Sequence, residues 1–294
     1  MREPFLLLTH LDISTAWQCD EVEFAPVLPI DFLGGSAPRL HGLTLGSIPF
    51  PTIRTLLLST NNLVSLCLYR IPPTGYISPE AMVACLAVLS KLERFDLGFA
   101  SVPYQTRRPP VTGIQTVLPA LTKFQFLGAS EYLEDLVARI NSPTLDHIRI
   151  EFMNQPADFQ ASQLSQFIDR TGPVFRHAEV TFSDEYTFSM HPQTIRHLFS
   201  PNIIIRWKNV NWRVSHVVQA LSQSKMFATL SNVVHLKLEL DRGRDRQLEG
   251  STYNVEWRRF LRQFSNVKTL YVSRKLAPHI SLVLEETAEG VAIP

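Results

Sequence analysis

The sequence predicts an α/β fold in which short parallel strands alternate with helices. The first observation is an apolar pattern, Leu-x-x-Leu-x-Leu or a close variant, that recurs from the first residues almost to the last. The second is the spacing of its copies, which leaves room for a helix between most of them. The third is composition, because 45% of the 294 residues are hydrophobic. A chain of this length can therefore bury a core without disulfides or metals.

The spacing of the copies specifies the architecture further. First positions of consecutive copies are 23 to 34 residues apart, except for one step of 58 residues that equals two steps of 29. A degenerate copy is therefore expected near Ile203 to Trp207. Repeats of this pattern, at about 20–29 residues each, are typical of a leucine-rich-repeat solenoid. We expect such a solenoid (horseshoe) with about 9–10 repeats, a parallel β-sheet on its concave side and helices on its convex side. The nine clear copies begin at Leu8, Leu40, Leu63, Leu92, Leu121, Leu145, Phe175, Val233 and Val267.

Helices are predicted between most of the strand copies. Ser78 precedes Pro79 and Glu80, which is the order of N-cap, first-turn proline and early acid that begins a helix. After Ser130, apolar residues at three- and four-residue spacing predict a helix over residues 131–140. The same reasoning predicts helices over 81–89, 160–170, 213–222, 254–264 and 275–286.

Some parts of the chain interrupt this alternation. Residues 181–202 fall where a helix is expected, yet Tyr186 to Met190 alternate as a strand does. Residues 101–119 and 241–251 are rich in proline or charge and are expected to be exposed loops. The repeats run to both ends of the chain without polar terminal units. We therefore expect one leucine-rich-repeat domain over residues 1–294, truncated at both ends.

Composition excludes several classes of partner. Twenty-eight Lys and Arg against twenty-seven Asp and Glu leave a net charge of +1, which gives no general attraction to nucleic acid or to anionic membranes. No apolar run approaches the ~18 residues needed to span a bilayer. Cys19, Cys67 and Cys85 lack the spacing of a disulfide or metal set, so we expect them to be reduced. The chain is expected in the cytoplasm or nucleus, with no nucleic-acid or membrane partner.

The common catalytic motifs do not occur in the sequence. It contains no nucleophile elbow G-x-S-x-G, phosphate loop, dinucleotide fingerprint or zinc helix H-E-x-x-H. We expect a protein that is not an enzyme and holds no cofactor. A remote alternative is a metal-dependent hydrolase. If consecutive copies form neighbouring strands, His147 and His177 lie about 4.8 Å apart at the backbone, with Glu151 and Glu179 nearby. Two imidazoles and a carboxylate can hold a transition metal.

The residues between the leucines form the predicted binding surface. Strand side chains alternate in direction, so these residues face the concave side. They include four Lys or Arg and five Asp or Glu, whereas a nucleic-acid groove is strongly basic. Nine or ten strands span roughly 40 Å, which is wide enough for the ~800 Å² of a standard protein interface. We expect a protein ligand there. The candidate contact residues are Asp12, Tyr69, Arg94, Asp96, Lys123, Gln125, His147, Arg149, Glu151, His177, Glu179, His235, Lys237, Glu239 and Tyr271.

Several connecting segments resemble a known family. These segments are Phe32-Leu-Gly-Gly-Ser-Ala-Pro-Arg-Leu40, Gly75-Tyr-Ile-Ser-Pro-Glu-Ala-Met82, Arg107-Arg-Pro-Pro110 and Ser130-Glu-Tyr-Leu-Glu-Asp-Leu-Val-Ala-Arg-Ile140. With them, the sequence from about residue 5 to residue 290 resembles the repeat region of the F-box-type leucine-rich-repeat proteins that are expanded in mushroom-forming fungi. The resemblance includes connections between the repeats as well as generic leucines.

This resemblance implies a function in protein degradation. In that family an F-box docks to a Skp1-type adaptor of a ubiquitin ligase, and the repeats select the substrate. Here the repeats begin within the first ten residues, so adaptor binding is implied only for a form with an upstream F-box. The first hypothesis is a non-enzymatic protein-interaction module, the substrate-recognition region of such a receptor. The alternative is a stand-alone repeat scaffold or sensor without ubiquitin chemistry.

Overall fold

A computed structural model describes residues 5–15, 27–29, 32–49, 53–101, 115–153, 161–171, 174–183, 186–191, 203–208, 214–223, 228–240 and 253–289. These residues confirm an α/β fold with mostly parallel strand pairing and seven described helices. The chain forms two compact units, Met1–Ile150 and Glu151–Pro294.

In the first unit, strands follow one another in sequence order. The main sheet has the order β1-β2-β3-β4-β6-β8, and the pairs from β1 to β6 are parallel and in register. Two short strands, β5 and β7, pair separately. The elements are β1 (His10–Ser14), β2 (Gly42–Gly46), α1 (Ile53–Leu58), β3 (Ser65–Ile71), α2 (Pro79–Leu86), β4 (Arg94–Phe99), β5 (Thr116–Val117), β6 (Lys123–Gly128), α3 (Ser130–Ala138), β7 (Ile140–Asn141) and β8 (His147–Met153), which crosses into the second unit.

The repeated apolar positions build the core of this unit. From the copy at Leu40 to the copy at Leu145, all three pattern positions are at most 4% exposed. The positions between them are less buried, because side chains alternate along a strand. Paired strands add a layer of this core at each step, as in the stacked rings of Phe95 and Phe124, 5.6 Å apart.

Local signals set the helix ends of this unit. The Ser78 hydroxyl accepts a hydrogen bond from the Ala81 N–H at 3.2 Å, which confirms its expected role as N-cap of α2. Helix α3 begins at Ser130 and buries Leu133, Leu136 and Val137. It ends at Ala138, and Ile140 lies in β7 instead of extending the helix as expected.

The second unit departs from sequence order. Its strands have the order β11-β10-β9-β12-β13, with the end of β8 beside β11. Strand β10 runs antiparallel to both β9 and β11, whereas β9 with β12 and β12 with β13 are parallel pairs. The elements are α4 (Ser162–Thr171), β9 (His177–Phe182), β10 (Tyr186–His191), β11 (Ile203–Lys208), α5 (Val214–Gln223), β12 (His235–Leu240), α6 (Tyr253–Leu261), β13 (Thr269–Val272) and α7 (Ala277–Glu289).

Strand β10 is antiparallel because the connection from β9 to β10 is short. Three residues separate β9 from β10, whereas a parallel crossover needs a dozen or more. Tyr186, Phe188 and Met190 are fully buried at alternating positions. The helix expected within residues 181–202 is therefore replaced by a strand at Tyr186–His191. The degenerate copy expected near Ile203 is also a strand, β11, but it pairs with β10 in the antiparallel sense.

The remaining expectations have mixed outcomes. The predicted helices over 160–170, 213–222, 254–264 and 275–286 are confirmed as α4 to α7, with shifted ends. Cys67 and Cys85 are free thiols. Among the described residues, no helix combines the length and apolarity needed to span a bilayer. Cys19, residues 102–114 and residues 241–251 lie outside the described part of the chain.

Leu66 tests the assignment of the core positions. It is 0% exposed, so Leu66→Asp leaves a void and buries an unpaired carboxylate. We expect the free energy of unfolding to fall by more than ~4 kcal/mol. Urea denaturation followed by circular dichroism measures this change. Ser65→Asp is the matched control, because Ser65 is a half-buried neighbour in the same strand. Equal destabilisation by both variants would contradict the assignment.

Candidate functional site

The candidate site is the polar face of the strands. We define it as the strand side chains that alternate with the buried pattern positions. All fifteen candidate residues occupy such positions. Fourteen are exposed or half-buried, whereas Glu151 is only 7% exposed.

In the first unit, an ion pair orders the centre of the polar face. Nε and Nη2 of Arg94 both donate to Oδ2 of Asp96, at 2.9 and 2.6 Å. The Cys67 thiol donates to the same oxygen at 3.3 Å. Burial and the Asp96 charge raise the pKa of Cys67, so the thiol stays protonated near neutral pH. Three neighbouring side chains on two strands are thereby fixed in one arrangement.

The cationic and amide groups next to this ion pair extend across β6 and β8. Lys123 lies in register with Arg94, and Gln125 lies in register with Asp96. On β8, Nδ1 of His147 is 2.6 Å from Oδ1 of Asp146. Arg149 lies two residues further along the same strand and is exposed. The face therefore carries both signs of charge on neighbouring strands.

Tyr69 provides an exposed aromatic ring on the same face. It is 39% exposed, and the hydroxyl end of its ring lies over Gly46 of the neighbouring strand. A Cβ on Gly46 would overlap Cζ and the hydroxyl of Tyr69, so a larger residue there would displace the ring from this position. The strand bulges directly after Tyr69, where Arg70 has φ 53° and the register with β4 shifts. Asp12 is the candidate residue at the other end of this group of strands, and it is exposed.

In the second unit, Lys237 joins two strands through two carboxylates. Its Nζ is 2.7 Å from Oε2 of Glu239 and 2.9 Å from Oε1 of Glu179. Hydrogen bonds to Glu239 and then to Glu179 raise the pKa of Lys237. The triad carries a net charge of −1 and fixes side chains on β9 and β12. Tyr271 lies in register with Lys237 and is 60% exposed.

A second charge group surrounds Glu151. Its carboxylate lies 2.6 Å from Nζ of Lys208 and 3.4 Å from Nη1 of Arg206. Both cations come from β11, whose polar positions were not among the predicted contact residues. The Ile203-x-Ile205-x-Trp207 alternation is the signal that would have placed them on the polar face, although the strand lacks the leucines of the repeat.

Three histidines form a row across the middle of the second unit. His177 is in register with His191 on one side and with His235 on the other. The rings of His177 and His235 are stacked, with centroids 4.5 Å apart and planes 8° apart. Burial is the main cause of the lowered pKa of His177, and the neighbouring imidazoles His235 and His191 add to it. Burial also lowers the pKa of His191.

This row corrects the predicted pairing of His147 with His177. The neighbours of β9 are β10 and β12, because the short connection after β9 places β10 at its side. His177 therefore contacts His235, and the metal group built on His147 and His177 is wrong. Within the described ranges, no group of three or more His, Cys, Asp or Glu side chains is arranged to hold a metal.

Comparison of the chain with protein-family models, with curated proteins and with solved structures finds no significant match.

The contact between Tyr69 and Gly46 predicts a coupled pair of substitutions. We expect Gly46→Ala to lower the free energy of unfolding by about 1 kcal/mol, because the new methyl forces the exposed end of the Tyr69 ring to move. In the Tyr69→Ala background the same change is expected to cost much less. A double-mutant cycle of urea unfolding curves measures the coupling. Equal costs in both backgrounds would contradict the packing of the ring on the glycine.

The histidine row predicts a pH dependence of stability. The folded-state pKa values of His177 and His191 lie below the ordinary value of 6.5. The unfolded chain therefore binds more protons as the pH falls through 6.5, and folding stability decreases. We expect the stability lost between pH 7.5 and pH 5.5 to be smaller in His177→Gln. Unfolding curves at the two pH values measure this loss, and an NMR titration that places the His177 pKa above 6.5 would contradict it.

Proposed function

We propose that the chain is a leucine-rich-repeat solenoid whose polar strand face binds a protein ligand, without catalytic activity of its own. The observation that carries this proposal is the ordering of the polar face by ion pairs within and between strands. Arg94 with Asp96, Lys237 with Glu179 and Glu151 with Lys208 hold long side chains in defined positions. Side chains fixed before binding lose less conformational entropy in a complex, so such a face is suited to specific recognition.

Exposed aromatic side chains support the same conclusion. Tyr69 and Tyr271 stand on the polar face at 39% and 60% exposure. Tyrosine is enriched among residues that dominate binding energy, because a large rigid ring is buried at low entropic cost. Tyr271 lies in register with Lys237, so an apolar contact is next to polar contacts that give orientation. Tyr69 lies two residues after Cys67, whose thiol donates to Asp96. This combination is typical of protein interfaces.

The charge pattern favours a protein over nucleic acid. Glu179 and Glu239 flank Lys237, and Asp96 neutralises Arg94. A nucleic-acid surface needs a continuous row of unpaired cations, because its affinity derives mainly from phosphate contacts. Here the cations alternate with carboxylates, and a protein ligand with both signs of charge is the better complement.

The resemblance to F-box-type repeat proteins supports a more specific role. On this proposal, the polar face selects a substrate for a ubiquitin ligase. A Skp1-type adaptor would bind only a form that carries an F-box upstream of the repeats, and the ubiquitin would be transferred by other subunits. Co-purification of the adaptor with the natural full-length protein tests this part separately. Absence of the adaptor together with a stable protein partner would favour a scaffold.

The binding surface is tested by removing one aromatic side chain and by reversing one charge on the polar face. A ligand is first identified by crosslinking in the cells of origin, and its Kd is then measured by calorimetry. We expect Tyr69→Ala and Lys237→Glu each to weaken binding about tenfold or more, which corresponds to about 1.4 kcal/mol. Arg54→Glu is the charge-matched control, because Arg54 is exposed on α1. Unchanged affinity in both face variants, or an equal loss in the control, would reject the polar face as the binding surface.

A further inference from the structure

Basic side chains are concentrated on three neighbouring strands of the first unit. Within β4, β6 and the part of β8 that belongs to this unit, the charged residues are Arg94, Lys123, Arg149 and one carboxylate, Asp96. The three basic residues all occupy positions of the polar face, and all three are exposed. We call these three residues the cationic patch.

Strand pairing brings the cationic patch together. Lys123 is in register with Arg94. The N–H of His147 donates to the carbonyl that precedes Lys123, at 3.0 Å, just as the N–H of Lys123 donates to the carbonyl that precedes Arg94. His147 therefore lies beside Lys123, and Arg149 lies two residues further along β8. Neighbouring strands are about 4.8 Å apart, so the patch spans roughly 10 Å across its three strands.

Lys123 has no partner within the described part of the chain. Its ammonium group is exposed, and among the described residues it forms neither a hydrogen bond nor an ion pair. Two carboxylates, Glu93 and Asp146, directly precede β4 and β8, and neither pairs with it. Oδ1 of Asp146 lies 2.6 Å from Nδ1 of His147 instead. The positive charge of Lys123 is therefore available to an acceptor outside the chain.

Arg94 retains hydrogen-bond donors next to Lys123. Its Nε and Nη2 atoms donate to Asp96, and this contact fixes the guanidinium. A guanidinium has five N–H groups, so those on Nη1 stay available to a ligand. The Arg94 side chain is 46% exposed. Side chains that lie opposite on neighbouring strands interact, so a carboxylate on Lys123 also meets a donor that is oriented before binding.

We infer that the cationic patch binds a short acidic segment, rich in Asp or Glu, of the protein ligand. The inference rests on the proposed protein-binding role of the polar face, and it specifies the chemistry of the ligand at β4, β6 and β8. Three cations against one carboxylate, itself engaged by Arg94, leave an excess of positive charge here. An acidic segment is its electrostatic complement. The roughly 10 Å of the patch corresponds to three or four extended residues at ~3.3 Å each.

The small size of the patch favours a peptide over a nucleic acid. On the neighbouring strand β3 the polar-face positions are Ser65, Cys67 and Tyr69, and none of them adds a positive charge. Affinity for nucleic acid derives from many phosphate contacts along the polymer. Three cations on three strands are suited instead to orienting a few carboxylates.

An acidic peptide probe tests the cationic patch. Fluorescein-labelled hexaglutamate is titrated with the full chain, and fluorescence polarisation gives the Kd at low ionic strength, where exposed charges are least screened. We expect Lys123→Glu to weaken binding about tenfold or more, because the reversed charge repels the peptide. Gln125→Lys, in register with Asp96, adds a cation and is expected to strengthen binding about threefold. A gain of affinity cannot result from unfolding.

Controls separate the patch from general charge effects. Arg54→Glu makes the same change of charge at an exposed site on α1 and should bind hexaglutamate as the wild type does. Absence of binding by the wild type, or an equal loss in Lys123→Glu and Arg54→Glu, rejects the inference. Equal binding of labelled hexaglutamine, or of an oligothymidylate with the same charge as the peptide, rejects it as well. Circular dichroism melts establish that every variant folds.

Failure of this inference is distinguishable from failure of the proposed function. If hexaglutamate does not bind, while Tyr69→Ala and Lys237→Glu weaken binding of the natural ligand, the polar face is a protein-binding surface that does not recognise an acidic segment. Unchanged affinity of both face variants for the natural ligand rejects the proposed function, and the inference with it.

Discussion

The structure depends on the alternation of side chains along short parallel strands. Because successive residues point to opposite faces, burial of the pattern positions forces the residues between them onto the other face. The burial of Leu66 and Leu68 thus determines that Ser65, Cys67 and Tyr69 face away from the core. Stacking of strands in register repeats this arrangement, and it creates a broad polar face from residues that are far apart in sequence.

The polar face gains order from contacts between neighbouring strands. A single surface ion pair contributes little to stability. The groups around Asp96, Glu179 and Glu151 each join two or three side chains. They fix the positions of these side chains more than they stabilise the fold. The same contacts keep the net charge of the face low. The face therefore carries local contrasts of charge without a strong net charge of either sign.

The second unit shows how one short connection changes the neighbours of every strand around it. With three residues between them, β9 and β10 must form a hairpin, and β11 then pairs on the far side of β10. His177 therefore lies in one row with His191 and His235, and it is not a neighbour of His147 as the sequence predicted. Burial and the two neighbouring imidazoles lower the pKa of His177 in this row.

Much of the fold followed from the sequence, because the apolar pattern encodes burial directly. The nine copies, the strand near Ile203 and the helices after Ser78 and Ser130 were identified from spacing and capping residues alone. The alternating character of Tyr186 to Met190 was visible, but its partners were not. The polar residues of β10 and β11, among them His191, Arg206 and Lys208, were missed since these strands lack the leucines of the pattern.

The sequence by itself determined which residues are buried, because hydrophobic periodicity is a local property of the chain. Where a strand carries the leucine pattern, the sequence also determined which side chains share the polar face, since they alternate with the buried positions. Only the tertiary structure decided which strands are neighbours, because strand pairing depends on connection lengths and on contacts between distant residues. The ion pair between Lys237 and Glu179 and the stacked pair of His177 and His235 both follow from that choice of neighbours.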